Sequence, residues 1–399
     1  MPRYTENDIE YAIQAVLHGV TQREASIKWG IPRTTLRDRL NGSTTKAASK
    51  EAFQRLSNQQ ENHLCNWVLA QGALGLPPTH QQLKEFATRI LVASDDLRPL
   101  GKRWIDGFLS RNPAIQTMRG KPIDSVRING ATTKIIKDFF CLLEVPLIKA
   151  IPPGNRYNMD ETGILEGRGS NGLVLGSSNR RSIVKKQPGT RCWTTIIECI
   201  SETGQALSPL VIFESQTVQQ QWFPDEMEFL ADWRFSATPK GWTSDSTALD
   251  WLRQIFIPQA RAQSKDKILL IVDGHGSHTT DDFMYECYKN DIYLLFLPPH
   301  TSHVLQPLDI SIFSPIKTVY RSAIDKYPDA FDSSPAGKMT LLCCYNTARL
   351  ASLTSKNIRN GFVGSGLWPV NMAKPLLSRL LIETPEVWPA VPIIQEMCL

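Results

Sequence analysis

The stretch KILLIVDGHGSH (Lys267–His278) decides how the rest of the chain is read. Five apolar residues, Ile268 to Val272, run without a polar break into Asp273, and two glycines and two histidines follow. A short unbroken apolar run marks a strand buried on both faces, as in the parallel part of a sheet covered by helices. Such a strand has reason to end on a carboxylate where its tip needs negative charge. LLFLPPHTSHVLQPLD (Leu294–Asp309) repeats the arrangement with an apolar run, a Pro-Pro-His turn and Asp309.

Working outward, RYNMDETGI (Arg156–Ile164) reads as a strand whose alternation puts Asn158, Asp160 and Thr162 on one face and Tyr157, Met159 and Glu161 on the other. Cys192–Ser215 reads as two strands joined by a turn at Glu202–Gly204. Ser246–Gln263 has the pattern of an amphipathic helix, Asp281–Asp291 of a second helix, and Ile292–Pro298 of another buried strand. A hairpin followed by alternating helices and strands predicts a mixed α/β sheet covered by helices. Polar residues at the carboxyl ends of such strands converge on one crevice. That brings Asp160 and Asp273 together, with Asp309 within reach. Clustered carboxylates repel one another unless protonated or bound to cations. Hard oxygen ligands favour Mg²⁺ or Mn²⁺, and two such ions can activate one oxygen and stabilise another on a phosphate.

Other readings of the same residues stand beside this one. Asp273 and Asp309 each occupy a position where an aspartate caps a helix. Glu161 competes with Asp160 as ligand, and Asp160 is preferred because its strand face carries the polar neighbours. Pro315 requires the helix after Asp309 either to start near Ser314–Pro315 or to kink there. His275, His278, His300 and His303 form two HxxH pairs that offer a zinc alternative, although they sit in turns rather than on a helix face. His278 more simply orients its loop or touches a phosphate.

The N-terminal third is different in kind. Residues 1–150 hold 21 Lys+Arg against 14 Asp+Glu, and the remaining 249 of the 399 hold 23 against 25, so a basic third precedes a slightly acidic remainder. That asymmetry points to a polyanionic partner or to a solvated basic face. Within it, Thr5 and Thr21 stand as N-caps with Asp8 and Glu24 three residues on. Ile9, Ile13, Val16 and Leu17 form an apolar helical face, Ala25 and Trp29 a second, and Gly30 stops that helix. Pro32 suits the first turn of a third helix, with Leu36 and Leu40 inward and Arg33, Thr34, Thr35, Arg37 and Arg39 outward. This is the layout of a helix-turn-helix whose third helix enters the major groove; a generic three-helix bundle is the plainer alternative. After a linker at Ser43–Lys50, a second helical unit (51–120) ends in GKRWIDGFLSRNPAIQTMRGK. There Trp104, Phe108 and Leu109 read as core, and Lys102, Arg103, Arg111, Arg119 and Lys121 as phosphate contacts. The run Asn179–Arg191 reads as a DNA-contacting hairpin, a nuclear-import signal or a solvated hairpin.

Eight cysteines show no CxxC pair, no secretory signal opens the chain, and no apolar run is long enough to cross a bilayer. Reduced thiols and no membrane partner are therefore expected.

The motifs YNMDETG, LIVDGHGSH, LPPHTSHVLQPLD and GLWPVN (Gly366–Asn371), in that order, resemble the DDE transposases of the pogo branch of the mariner superfamily, especially fungal members. The N-terminal units resemble the paired helix-turn-helix modules of that branch, shared with the centromere protein CENP-B. The resemblance implies a ribonuclease-H-like catalytic domain and a triad of Asp160, Asp273 and Asp309 that is both catalytic and metal-binding. It implies two Mg²⁺ or Mn²⁺ ions, hydrolysis at the element's ends, and attack of the freed 3′-hydroxyl on target DNA at TA dinucleotides. Double-stranded DNA (terminal inverted repeats and target), a homodimer on DNA and a nuclear location follow from it. The expected domains are 1–45 and 51–120 (helix-turn-helix units), 121–150 (helical linker), 151–375 (catalytic) and 376–399 (tail). The alternative is a transposase-derived, sequence-specific DNA-binding protein with silent chemistry.

Overall fold

The computed structural model describes residues 4–43, 54–118, 132–166, 193–223, 228–274, 276–326 and 335–378. The chain divides into two compact units, Met1–Leu64 with Ala87–Gly101, and Cys65–Phe86 with Lys102–Leu399. The dividing lines fall inside the helical region 51–120. The basic run 179–191, Arg119, Lys121, His275, most of the linker after Ser43 and nearly all of the tail lie outside the described residues.

The first unit opens with helices α1 (Glu6–Leu17), α2 (Gln22–Lys28) and α3 (Arg33–Leu40). Both predicted capping boxes form: Thr5 and Asp8 close the start of α1, and Thr21 and Glu24 the start of α2. Ile9, Ala12, Ala25, Ile31 and Leu36 make the core, with Ile13, Val16, Trp29 and Leu40 packed around it. Leu17 does not join them. At 70% exposure it lies at the end of α1, turned off the stripe that positions 9, 12, 13 and 16 make at helical spacing. Pro32 stands one step before the expected first turn, at the cap of α3. Gly30, at φ 66°, gives the reversal between α2 and α3 that a β-carbon would strain. Helices α4 (Asn58–Ala73), α5 (His80–Val92) and α6 (Trp104–Arg111) follow in the chain. Phe108 is fully buried with Trp104 stacked on it at 5.4 Å. After α7 (Thr133–Leu143) the pattern changes to strands.

The second unit is built on a six-stranded sheet of β1 (Arg156–Leu165), β2 (Trp193–Ser201), β3 (Leu210–Glu214), β4 (Arg234–Thr238), β5 (Ile268–Val272) and β6 (Ile292–Phe296), in the order β4-β3-β2-β1-β5-β6. β1, β2 and β3 pair antiparallel; β1 with β5, β5 with β6, and β3 with β4 pair parallel. All five residues of β5 are buried, as its unbroken apolar run requires. β6 is an edge strand, and its exposed backbone is partly satisfied within the unit: Leu294 N–H donates to Gln71 Oε1 at 3.2 Å, while Trp67 packs edge-on to Tyr288.

Between β4 and β5 the expected single helix is two, α8 (Asp245–Trp251) and α9 (Ile257–Gln263), joined by a π-helical turn at Leu252–Phe256. Pro258 has no N–H to give the preceding turn, and the wider turn absorbs that loss. α10 (Asp281–Lys289) precedes β6, and α11 (Pro307–Ser311) and α12 (Phe313–Ile324) follow it. The break between α11 and α12 leaves Pro315 in the first turn of α12, one of the two placements the sequence allowed. α13 (Pro335–Ser352) and α14 (Ser355–Ser365) complete the fold.

Helix α13 is fastened to the sheet by buried charge. Glu198, wholly enclosed on β2, accepts from Arg349 Nε at 2.8 Å and Nη2 at 3.1 Å, and from the Tyr345 hydroxyl at 2.9 Å. Lys338 pairs with Glu166 one end along, beneath the ring of Phe213. Glu202 and Arg156 are also buried, but neither Glu202 oxygen has a hydrogen-bond partner among the described residues. Burial pushes the Glu202 carboxyl up to about 9, against the pull of Arg156.

Removing one partner of a buried pair strands the other charge, so Arg349→Met is expected to cost about 3–5 kcal/mol in urea unfolding. The Glu198→Gln, Arg349→Met double variant is expected to lose less than the two single costs combined. For Glu202 the folded state favours the acid form. Its contribution is full below its ordinary pKa of 4.5 and declines as pH rises towards about 9. Urea midpoints of Glu202→Gln are therefore expected to fall less between pH 6 and 9 than those of the parent chain.

Candidate active site

The register of β1 against β5 answers why an apolar strand ends on Asp273. Arg156 pairs with Leu269, Tyr157 with Leu270 and Asn158 with Ile271, all parallel. Carried two residues beyond the last pair, that register sets Asp160, in the middle of β1, alongside Asp273, which directly follows the carboxyl end of β5; paired strands lie about 4.8 Å apart. Asp309 arrives from α11, in whose first turn it lies.

The third carboxylate is tied to the first two by a pair of buried amides. Asn158 Nδ2 donates to the Ile271 carbonyl at 3.1 Å and to Gln306 Oε1 at 2.8 Å, while its Oδ1 accepts from Leu308 N at 3.4 Å. Gln306 Nε2 donates to the Met159 carbonyl at 3.2 Å. Both side chains are completely enclosed. One amide thus bonds the strand before Asp273, the loop before Asp309 and the helix turn that carries Asp309, all from a residue two before Asp160. Gln306 also caps the start of α11 by position, without a side-chain cap bond, so Asp309 is not that helix's cap. Strand alternation places Asn158 on Asp160's face, whereas no local pattern assigns Gln306 a role. The available signal was a long amide three residues before Asp309 inside an otherwise apolar segment.

The electrostatics follow from this convergence. Burial, and then the neighbouring charge of Asp309, raise the Asp160 carboxyl well above the usual carboxylate range, with Asp273 adding to the effect. The Glu161 backbone N–H, 2.8 Å from Asp160 Oδ1, and the Gln306 amide pull the other way. Burial raises Asp309 too; Lys317 opposes this, Asp273 adds to it, and His303 opposes it. Asp160, on the face of Asn158, thus shares a field with Asp273 and Asp309. His278 is buried against Phe283, its Nδ1 3.5 Å from Asp273 Oδ1. It is thus enclosed next to Asp273.

These residues fit divalent cations by their chemistry: three hard oxygen donors that repel one another until positive charge is supplied. Among the described residues no three His, Cys, Asp or Glu side chains are drawn into a ready-made metal cage. An open set of carboxylates is the form in which Mg²⁺ keeps waters and shares substrate phosphates. Of the histidines in the HxxH pairs, His278 is buried, His300 and His303 are exposed, and His275 lies outside the described residues.

The basic residues divide by what they touch. On α3, Arg33, Thr34 and Arg37 are exposed and Thr35 is half-buried. Arg39, expected to face outward, instead binds Glu6 with its guanidinium at 2.9 and 3.1 Å and is only 15% exposed; it staples α3 to α1. In the second unit Lys102, Arg103 and Arg111 are exposed along and before α6. Arg111 folds back along its own helix, so that a β-carbon at Gly107 would stand 3.1 Å from its Nη1.

Three stretches of the chain match described families. Residues 190–362 match the family described as DDE superfamily endonuclease, 57–119 the Tc5 transposase DNA-binding domain, and 5–47 the helix-turn-helix Psq domain. A protein of Cochliobolus lunatus named MFS-type transporter clz9 is 28% identical over 377 residues, 93% of this chain and 37% of its own length. Chaetoglobosin A biosynthesis cluster protein C of Chaetomium globosum is 27% identical over 36% of this chain and 36% of its own. The human pogo transposable element with ZNF domain is 22% identical over 66% and 18%, respectively. The chain thus spans little more than a third, or less, of these relatives. No described helix here is long and apolar enough to cross a membrane. Among solved structures, the Mos1 mariner paired end complex with Mn is 12% identical with a TM-score of 0.40, covering 93% of this chain and 97% of that one.

Asn158→Leu leaves Leu308 N, the Ile271 carbonyl and the Gln306 amide without their partner, and is expected to lower unfolding free energy by about 3 kcal/mol in urea denaturation. An unchanged midpoint would mean that the amide pair does not hold the site together.

Proposed function

We propose, from the premise that the chain carries a DDE-superfamily endonuclease domain behind two helix-turn-helix domains, that it is a transposase. It binds the terminal inverted repeats of its element, cuts the DNA there and joins the freed ends to target DNA. The observation that carries the reading is the register that sets Asp160 beside Asp273, with Asp309 brought into the same field by the Asn158–Gln306 pair.

Asp160, Asp273 and Asp309 would hold the divalent ions. When bound, two such ions supply the charge that activates an attacking oxygen and stabilises a leaving one. In the first step a water oxygen bonds to phosphorus, the P–O3′ bond breaks, and the 3′ oxygen leaves with a proton as a hydroxyl. In the second, that hydroxyl attacks a target phosphate, a target 3′ oxygen departs, and the number of phosphodiester bonds is unchanged. His278 keeps Asp273 oriented, and Asn158 and Gln306 hold the loop of Asp309 against β1. Arg33, Thr34, Thr35 and Arg37 of α3 read the major groove, and Lys102, Arg103 and Arg111 neutralise phosphates. Arg39 serves this set indirectly by fixing α3 to α1. Cutting two ends together calls for a homodimer on DNA, and the substrate places the protein in the nucleus.

The test is cleavage of labelled duplex carrying the repeats that flank the gene, with and without Mg²⁺ or Mn²⁺. Metal-dependent nicking is expected from the parent chain, and at least a 100-fold lower rate from Asp273→Asn, which still binds the duplex. Binding without cleavage under either metal would instead identify a DNA-binding protein with silent chemistry. Arg37→Ala is expected to weaken binding about 10-fold if the side chain bonds a base, or to lower the salt slope by about one if it meets a phosphate.

A further inference from the structure

A cavity of about 330 Å³ is lined by the end of β1, by Trp193 and Trp242, and by Lys317, Tyr320 and Arg321 of α12. Both tryptophans are large apolar residues left in the open, at 42% and 62% exposure. Their placement is built rather than incidental. Trp193 opens β2 and lies across Gly163 of β1, where a β-carbon would stand 3.2 Å from its ring carbons. The loop of Trp242 is pinned from two sides: Thr195 Oγ1 donates to the Gly241 carbonyl at 2.6 Å, and Thr238 Oγ1 to the Trp242 carbonyl at 3.0 Å. Gly241, at φ 67°, comes so close that a β-carbon on it would stand 2.8 Å from the Trp193 carbonyl oxygen. The two indoles are thus presented from backbones in contact.

The third wall is cationic. Lys317, Tyr320 and Arg321 fall at i, i+3 and i+4 on α12 and so share one helical face. α12 follows directly on α11, whose first turn carries Asp309. Along β1, Gly163 is three residues beyond Asp160, about 10 Å at the usual strand rise. Aromatic faces beside cations are the means by which proteins hold unpaired nucleotides, with bases stacked on rings and phosphates neutralised by Lys and Arg. The volume admits a base, not a duplex.

We propose that this cavity receives an unpaired nucleotide of the DNA strand being processed, its base stacked on Trp242 and Trp193 and its phosphates met by Lys317 and Arg321. The proposal rests on the DNA-processing reading above and adds to it a preference for DNA whose strands are separated next to the cut.

The test compares affinities of the full-length chain, at fixed salt, for three duplexes of one sequence. One is blunt, one carries a three-nucleotide single-stranded extension, and one carries the same extension with abasic sites. The extension is expected to bind five- to tenfold tighter than the blunt end, and the abasic extension to bind as the blunt end does. A 2-aminopurine in the extension should lose fluorescence on binding. Trp242→Ala should abolish both the preference and the quenching while leaving blunt-duplex affinity unchanged, and Trp242→Phe should keep part of each. Equal affinity for blunt and extended duplexes in the parent, or a preference that survives abasic substitution or Trp242→Ala, would overturn the proposal alone. Loss of self-association in Trp242→Ala, without a nucleotide preference in the parent, would also overturn it and assign the surface to a second copy. Failure to bind any duplex would overturn the DNA reading with it.

Discussion

The bond from Asn158 Nδ2 to Gln306 Oε1, 2.8 Å long and closed to solvent, is the interaction on which the site depends. Three aspartates brought together push one another apart, and burial of Asp160 adds a desolvation cost. The opposing force is a set of hydrogen bonds between uncharged amides and backbone, which screening does not weaken and titration does not reach. Because both amides are enclosed, breaking the pair leaves polar groups that water cannot serve. The amide pair thereby keeps the segment that carries Asp309 against the strand that carries Asp160.

The sheet supplies the other half of the arrangement. Parallel pairing of β1 with β5 brings the middle of β1 alongside the carboxyl end of β5, and the antiparallel hairpin of β2 and β3 extends the sheet on the other side. Helix α13 grips that side through Glu198, Arg349 and Tyr345, so the strand bearing Asp160 is braced across its width. The same strand then runs on to Gly163, whose missing side chain makes room for Trp193. The strand that carries Asp160 thus also borders the candidate strand-holding cavity, which Lys317 of α12 helps to line.

Much of this was readable from residues that speak locally. The apolar run of Ile268 to Val272 announced a doubly buried strand, and Thr5 with Asp8, and Thr21 with Glu24, announced helix starts that form as expected. Capping boxes and strand burial depend on neighbours within a few positions, so the linear sequence contains them. The ordered motifs around the three aspartates carried the resemblance that fits the matched families. What escaped was set by partners far along the chain. Gln306 meets Asn158 across 148 positions, and Arg39 meets Glu6 across 33, with no local pattern to betray either. Arg39 shows the cost of reading exposure from helical spacing alone: a position on the outer face of α3 is the inner face of a contact with α1. Likewise the helical pattern of Ser246–Gln263 concealed the π turn, although Pro258 marked its place.

In the proposed mechanism Asp160, Asp273 and Asp309 form one cation site whose mutual repulsion the fold tolerates. Thermal unfolding of the full chain and of Asp160→Asn, each with and without Mn²⁺, tests it without recourse to activity. Metal at 100 times its Kd should stabilise the parent by about 2.7 kcal/mol and raise its Tm. Asp160→Asn should be as stable as the parent or more so without metal, since it removes a buried repelling charge, and should not respond to Mn²⁺. A metal-induced rise in Tm of equal size in both proteins would contradict the claim, and so would no rise in the parent.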